Sequence, residues 1–343
     1  MRKVVVHAPG GFEALRVETH PERRAGDGEV RVAVRACGVN YADCIVRMGL
    51  YESAKEYVGW PITPGFEVAG TVEEVGADVD GFSPGDEVLA VTRFGGYASA
   101  IVVPEAQVFR RPDALSTEQA AAFPAVHLTA WYALFVLAQP RPGAKLLVHS
   151  AAGGVGTALL ALARDAGFET VGVVGAAHKV EAARAAGAGA VIDKSTQDLW
   201  KEADRLAPEG YEVVLDANGP STLRKSYARV RPGGRLVVYG FHSMLPRGSG
   251  KPFLPRLAID WLRVPRFDPL RMTGDNRSVM AFNLSYLFDR RDLLQEAMTD
   301  LLARVGRGAI PPPRVTTFLL ERVADAHRAI ESGDTVGKLV LLV

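Results

Sequence analysis

The chain has 343 residues, 48% hydrophobic and 23% charged, with a formal net charge of +1. That length allows about two domains and a large core, and the near-neutral charge gives no footprint for nucleic acid or an anionic membrane as partner. Two cysteines, Cys37 and Cys44, exclude a disulfide scaffold and fit buried thiols in a reducing, cytoplasmic setting.

The first seven residues read as an opening β-strand and lack the long apolar core of a signal peptide. No apolar run reaches the roughly 18–20 residues needed to span a bilayer. Residues 30–36 alternate like a half-buried strand, and 68–75, 84–91 and 95–103 add further short strands between Pro and Gly turns. This predicts a small barrel-like unit. After Pro112 the pattern changes. Residues 117–137 are Ala-rich with helical spacing. Strands at 146–149, 170–174, 190–193, 213–217 and 235–240 then alternate with helices near 157–166, 178–186, 197–206 and 221–230. Such alternation predicts a parallel sheet covered on both faces.

Residues 241–276 break that rhythm with Pro246, Pro252, Pro255, Pro265 and Pro269 among Arg247, Lys251, Arg256, Arg263, Arg266 and Arg271. Two readings stand: a solvated surface excursion, or a lid beside the site, because the segment leaves the sheet at a strand's C-terminal end. Helices at 292–304 and 320–331, joined through an extended 310–314, precede a strand at 337–343 that should complete the β-rich unit.

The chemistry concentrates at Ser150-Ala-Ala-Gly-Gly-Val-Gly156. An apolar strand enters this turn and a helix leaves it. Gly153 and Gly154 remove Cβ atoms so that a pyrophosphate can approach backbone N–H groups, with Ala152 and Val155 beside them, and Gly156 lets the helix pack on the strand. Ala151 stands where a strict dinucleotide fingerprint has its first glycine.

Further motifs accompany this loop: Arg35-Ala-Cys-Gly-Val-Asn-Tyr-Ala-Asp43, Gly49-Leu-Tyr51, Thr63-Pro-Gly-Phe-Glu-Val-Ala-Gly70, Gly85-Asp-Glu-Val88 and Val336-Gly-Lys338. In this order they resemble the medium-chain dehydrogenase/reductase superfamily. Within it the chain is most similar to the zinc-free quinone oxidoreductases related to zeta-crystallin, nearest the branch of the vesicle amine transport protein homologues. The resemblance implies an α/β fold in which a GroES-like β-rich catalytic domain (1–122, resuming at 281–343) carries an inserted Rossmann NADPH-binding domain (123–280), and it implies a homodimer paired through an edge strand, for which 235–240 is the candidate.

It also implies a missing metal. Zinc relatives place a cysteine where Asn40 stands, a histidine where Phe66 stands and a further ligand near Ala125. None of these three residues supplies a thiolate, imidazole or carboxylate, so no metal site is expected. A metal that moves an oxygen acid's pKa from ~16 to ~7 supplies ~12 kcal/mol of charge stabilisation. One Tyr or Asn hydrogen bond contributes about 1–3 kcal/mol. The expected acceptor is therefore one that spreads incoming charge itself: a quinone or an α,β-unsaturated carbonyl. A redox-quiet NADPH-binding scaffold and an alcohol dehydrogenase are the alternatives.

An NAD site usually has an acid about 20 residues beyond the glycine loop to bind the ribose hydroxyls. Here the second strand ends in Gly175-Ala-Ala-His-Lys179 with no acid. By resemblance Lys179, with Lys194 after the third strand, meets the 2′-phosphate of NADPH. The same resemblance assigns Thr129, Gly175, Asn218, Gly240, Phe282, Asn283 and Leu284 to the cofactor, and Asn40, Tyr51 and Asp43 to the reacting pocket. There Asn40 hydrogen-bonds the acceptor or ribose and Tyr51 donates a proton or walls the pocket. Asp43 is read as structural, pairing with a base such as Arg47. Glu67 orients loop backbone, and His127 is read as a core or surface histidine rather than an acid.

Overall fold

In the computed structural model, residues 1–245, 248 and 250–343 are described. Pro246 and Arg247, which help define the Arg/Pro-rich segment, lie outside the described residues.

The chain opens with an antiparallel pair, β1 (Arg2–Val5) and β2 (Arg16–Thr19). The long β3 (Glu29–Val39) buries Val30, Val32 and Val34 on alternate positions, as a strand with one covered face must. It leads into α1 (Tyr41–Arg47) and α2 (Glu52–Tyr57). Four strands follow: β4 (Glu67–Val75), β5 (Glu87–Val91), β6 (Ala100–Pro104) and β7 (Val108–Arg110). Ser116 then caps α3 (Thr117–Ala121) by accepting from Gln119 N. Next come α4 (Pro124–Trp131) and a π-helical stretch, Tyr132–Ala138, which together hold the expected Ala-rich helix.

The alternating half comprises β8 (Lys145–Val148), α5 (Gly154–Asp165), β9 (Glu169–Val174), α6 (Val180–Ala186), β10 (Ala190–Asp193), α7 (Leu199–Leu206), β11 (Tyr211–Asp216), α8 (Leu223–Ala228) and β12 (Val230–Val238). Within the Arg/Pro-rich segment lie two helices that the prolines concealed, α9 (Leu254–Arg263) and α10 (Pro269–Asp275), then β13 (Ser278–Ala281). The chain finishes with α11 (Arg291–Gly306), β14 (Val315–Leu319), α12 (Val323–Ser332) and β15 (Lys338–Leu342).

Two large sheets result. The seven-stranded one runs β14-β15-β3-β4-β5-β7, with β6 on β3. The six-stranded one is wholly parallel and runs β10-β9-β8-β11-β12-β13. That is the doubly wound dinucleotide order, and its direction reverses between β8 and β11, where a crevice opens at the strand C-termini. The fold class expected from the sequence is the one observed.

One expectation needs correction. Residues 235–240 are no sheet edge, because β12 pairs with β11 on one side and β13 on the other. The edge is β13, a four-residue strand with little sequence signal of its own. The chain rejoins the first sheet at β14. Before that, α11 buries Leu294, Met298 and Leu301 in the same apolar cluster as Leu159 and Leu160 of α5.

Candidate active site

The glycine loop leaves β8 at the switch point. Ser150 takes a positive φ of 55° to start the turn, and Gly153 caps α5 in extended backbone. A Cβ on Gly156 would sit 2.3 Å from Ser150 O, so helix and loop pack backbone to backbone there. A Cβ on Gly154 would meet Val126 Cγ1 and Lys338 Cδ at 2.9 Å. The first N–H groups of α5 have no intrahelical partner, and the helix dipole adds partial positive charge at the same end.

Across the crevice, the turn after β11 is shaped by Asp216, which is fully buried. Its Oδ1 accepts from Asn218 N at 2.8 Å, Gly219 N at 3.2 Å and Thr222 Oγ1 at 3.0 Å. Asn218 Oδ1 in turn accepts from Ser150 Oγ at 3.1 Å, joining the two strand ends that flank the switch point. Gly240 lies close on this turn, since its Cβ would be 2.9 Å from Ala217 O.

At the outer end of the crevice, a Cβ on Gly175 would lie 3.5 Å from Lys194 Cε, so these two predicted residues are neighbours. Lys179 Nζ donates to Gly333 O, and His178 Nε2 contacts Asp334 O at 3.1 Å. The segment before β15 therefore runs beside the β9 end. It is also tied to the glycine loop, where Gly337 N donates to Ala152 O at 3.1 Å.

On the β-rich side, Asn40 precedes α1 and its amide is held twice. Asn40 Nδ2 donates to Glu67 Oε1 at 2.8 Å, and Asn40 Oδ1 accepts from Lys338 Nζ at 2.7 Å. Lys338 also reaches Glu67 Oε1 at 2.6 Å and Val39 O at 3.0 Å. Glu67 Oε2 accepts from Ala125 N at 2.7 Å, the backbone-orienting contact expected of it. Lys338 was missed as a site residue, although a lysine opening the apolar Lys338–Leu342 is itself a signal.

Asp43 does not pair with Arg47. Its carboxylate accepts from Asn40 N at 2.8 Å, Gly65 N at 2.8 Å and Tyr97 Oη at 2.9 Å. Burial raises it to about 7 against those lowering hydrogen bonds. Arg47 instead donates to Glu331 Oε1 at 2.6 Å inside the protein. Tyr51 donates to Asn283 Oδ1 at 2.7 Å, linking two site residues 232 positions apart. Its ring lies edge-on to Phe66 at 5.9 Å and to Phe94 at 6.3 Å. Burial pushes the Tyr51 phenol above its ordinary value, so it stays protonated. Phe282 tilts against Tyr132 at 4.9 Å, while Leu284 packs beside Leu128 and Tyr132. Thr129 Oγ1 donates to Ala125 O at 2.7 Å. His127 stacks on Phe123 at 3.8 Å and is a core histidine.

Both cysteines are free and buried. Among the described residues, one trio of metal-capable side chains comes together: Cys44, His327 and Glu331, with ligand atoms within 4.8 Å of one another. The Arg47 guanidinium already lies 2.6 Å from Glu331 and 3.0 Å from His327, so a cation occupies that pocket. Among the described residues, no helix is long and apolar enough to cross a membrane.

Comparison with known proteins agrees with this architecture. Residues 26–113 match the alcohol dehydrogenase GroES-like domain, and residues 186–341 match a zinc-binding dehydrogenase model. The synaptic vesicle membrane protein VAT-1 homolog of Rattus norvegicus is 35% identical over 344 residues, covering 100% of this chain and 84% of the relative. The Escherichia coli quinone oxidoreductase complexed with NADPH superposes with a TM-score of 0.86 at 28% identity, each chain covered to 100%. The CurK enoyl reductase superposes at 0.84 with 26% identity, covering 99% of this chain and 98% of its own. The chain belongs to the medium-chain dehydrogenase/reductase superfamily, in the branch of the VAT-1 homologues.

Proposed function

We propose that the protein is an NADPH-dependent reductase that delivers hydride to a conjugated carbonyl, either a quinone or an α,β-unsaturated ketone or aldehyde, without catalytic zinc. One observation carries this reading: an ammonium, that of Lys338, fills the polar centre between Asn40 and Glu67. Beside it, Phe66 and Ala125 offer no side-chain donor to a metal. The donor set does not fit zinc. Relatives named as quinone oxidoreductase and enoyl reductase support the acceptor class, and the one complexed with NADPH supports the cofactor.

The glycine loop fits a dinucleotide. It presents the backbone of Ala152, Gly153, Gly154, Val155 and Gly156, whose own side chains are no larger than a methyl or isopropyl group. NADPH, when bound, supplies the hydride. The chain's own residues orient and enclose. Asn218, Gly240 and Thr129 would hold the nicotinamide side, with Phe282, Asn283 and Leu284 closing over it. Gly175, Lys179 and Lys194 would take the 2′-phosphate end. Asn40 hydrogen-bonds the acceptor oxygen or the ribose, Asp43 fixes the loop that carries it, and Tyr51 walls the acceptor pocket with a protonated phenol. Hydride adds two electrons and one proton to the conjugated system. The second proton goes to the resulting enolate or quinolate oxygen from solvent, directly or through Tyr51, which solvent then reprotonates. Conjugation lowers the charge on that oxygen, so hydrogen bonds of ordinary strength suffice.

The proposed domain division is 1–122 with 281–343 around 123–280, and the proposed assembly is a cytoplasmic homodimer. Two features support a second copy as partner. β13 pairs on one side only, and α9 exposes Leu254, Trp261 and Leu262 to 68, 64 and 72%. The one buried residue of this helix is Asp260, which pairs with exposed Arg256 at 3.4 Å and Arg263 at 3.6 Å. An open edge beside an outward apolar face suits an isologous contact.

The test is consumption of NADPH, followed at the nicotinamide absorbance, by metal-stripped protein against a panel of quinones, enones and simple aldehydes. Turnover of conjugated acceptors alone is expected. Zinc-dependent turnover of simple aldehydes, or no turnover at all, overturns the proposal.

A further inference from the structure

The geometry points to Lys338 as a positioning residue for reduction: its buried ammonium locks the Asn40 amide in one orientation and ties that amide to the cofactor loop. This rests on the conjugated-carbonyl reading above.

Three contacts close a ring. Lys338 Nζ donates to Asn40 Oδ1 at 2.7 Å and to Glu67 Oε1 at 2.6 Å, and Asn40 Nδ2 donates to the same Glu67 oxygen at 2.8 Å. A third Lys338 proton goes to Val39 O at 3.0 Å, so the ammonium spends every donor it has. An amide with its oxygen on a cation and one N–H on an anion cannot flip without losing both contacts. Lys338 is 4% exposed and Glu67 fully buried, so water does not replace them cheaply. This arrangement leaves one Asn40 N–H unspent, and the ring fixes where it points. A donor held in place before charge develops is what stabilises an oxyanion effectively.

The lysine stem makes the second connection. A Cβ on Gly154 would touch Lys338 Cδ at 2.9 Å, and the residue before it, Gly337, donates to Ala152 O at 3.1 Å. Lys338 thus spans from the N-terminus of α5 to the α1 loop. A shift of the glycine loop is transmitted to the Asn40 amide through one stiff, desolvated side chain.

Lys338→Met alone would strand the buried Glu67 charge, so the test pairs it with Glu67→Gln. Three measurements are made on wild type, Lys338→Arg and the double variant: thermal midpoint, NADPH affinity by fluorescence titration, and the 15N spectrum of the Asn40 side-chain amide, assigned by its loss in Asn40→Asp. The double variant should keep a thermal midpoint near that of wild type and bind NADPH within about threefold, yet lose kcat by about 10- to 100-fold. Its Asn40 amide protons should exchange faster and lose their separate shifts. Lys338→Arg should recover part of kcat and the slow exchange. A stable double variant with wild-type kcat, or an unchanged Asn40 amide signal, overturns the inference. If wild type reduces no conjugated carbonyl, the reduction reading fails, and the amide signal alone still decides whether Lys338 holds Asn40.

Discussion

Lys179 and Lys194 follow two neighbouring parallel strands, and Lys194 lies over Gly175 in the gap between them. A charge-assisted contact to a phosphate contributes about 1.5–3 kcal/mol, or roughly ten- to a hundredfold in preference. Lys179→Glu should therefore cut the ratio of kcat/KM for NADPH over NADH by about that factor; a ratio unchanged from wild type removes Lys179 from the site. His127 makes a second prediction at this scale. Burial holds its imidazole down to about 4, below the ordinary histidine value of about 6.5. A histidine depressed by folding stabilises the protein above its unfolded pKa, and that stability is lost as pH falls through 6.5 toward 4. His127→Gln should flatten the acid limb, shrinking the loss between pH 7 and pH 4.5 by about 2 kcal/mol in denaturant titrations. An acid limb as steep as that of wild type counts against a neutral buried His127.

The glycine loop shows how single positions govern an element. A Cβ at Gly156 meets backbone 2.3 Å away, whereas one at Gly153 has its nearest neighbour, Ser150 O, at 3.3 Å. Gly156→Ala should therefore separate α5 from β8, lowering stability by about 1–3 kcal/mol and weakening NADPH binding, while Gly153→Ala stays folded with a far smaller loss. Equal thermal midpoints for the two variants would contradict this packing. That element was legible in the sequence because strand, turn and helix each carry a local period. The same holds for the strands from β8 to β12, whose buried apolar runs sit between turn residues. β13 and α9 were not legible: one has four residues, and the other hides its helical spacing among prolines. The ring around Asn40 was not legible either, because Lys338 lies 298 residues from Asn40 and 271 from Glu67. Separate motifs held Asn40, Glu67 and Lys338; only the fold brings the lysine between the other two.

For the molecule as a whole, the proposed dimer predicts a mass near twice that of the chain by light scattering. Trp261→Glu with Leu262→Lys should halve that mass and leave the isolated fold intact, since both side chains point outward. A wild-type protein that runs as a monomer at every concentration removes the contact. The aromatic wall of the proposed acceptor pocket also constrains size. Tyr51, Phe66 and Phe94 stand with centroids 5.4 to 6.3 Å apart. Sandwiching a flat ring between two others takes about 7–8 Å, twice the ordinary carbon contact. A flat ring that enters between these three must therefore pry them apart, and with them the Tyr51 link to Asn283 from the opposite bank. Slim open-chain guests need no such parting. In direct competition, the narrow guest should be consumed first.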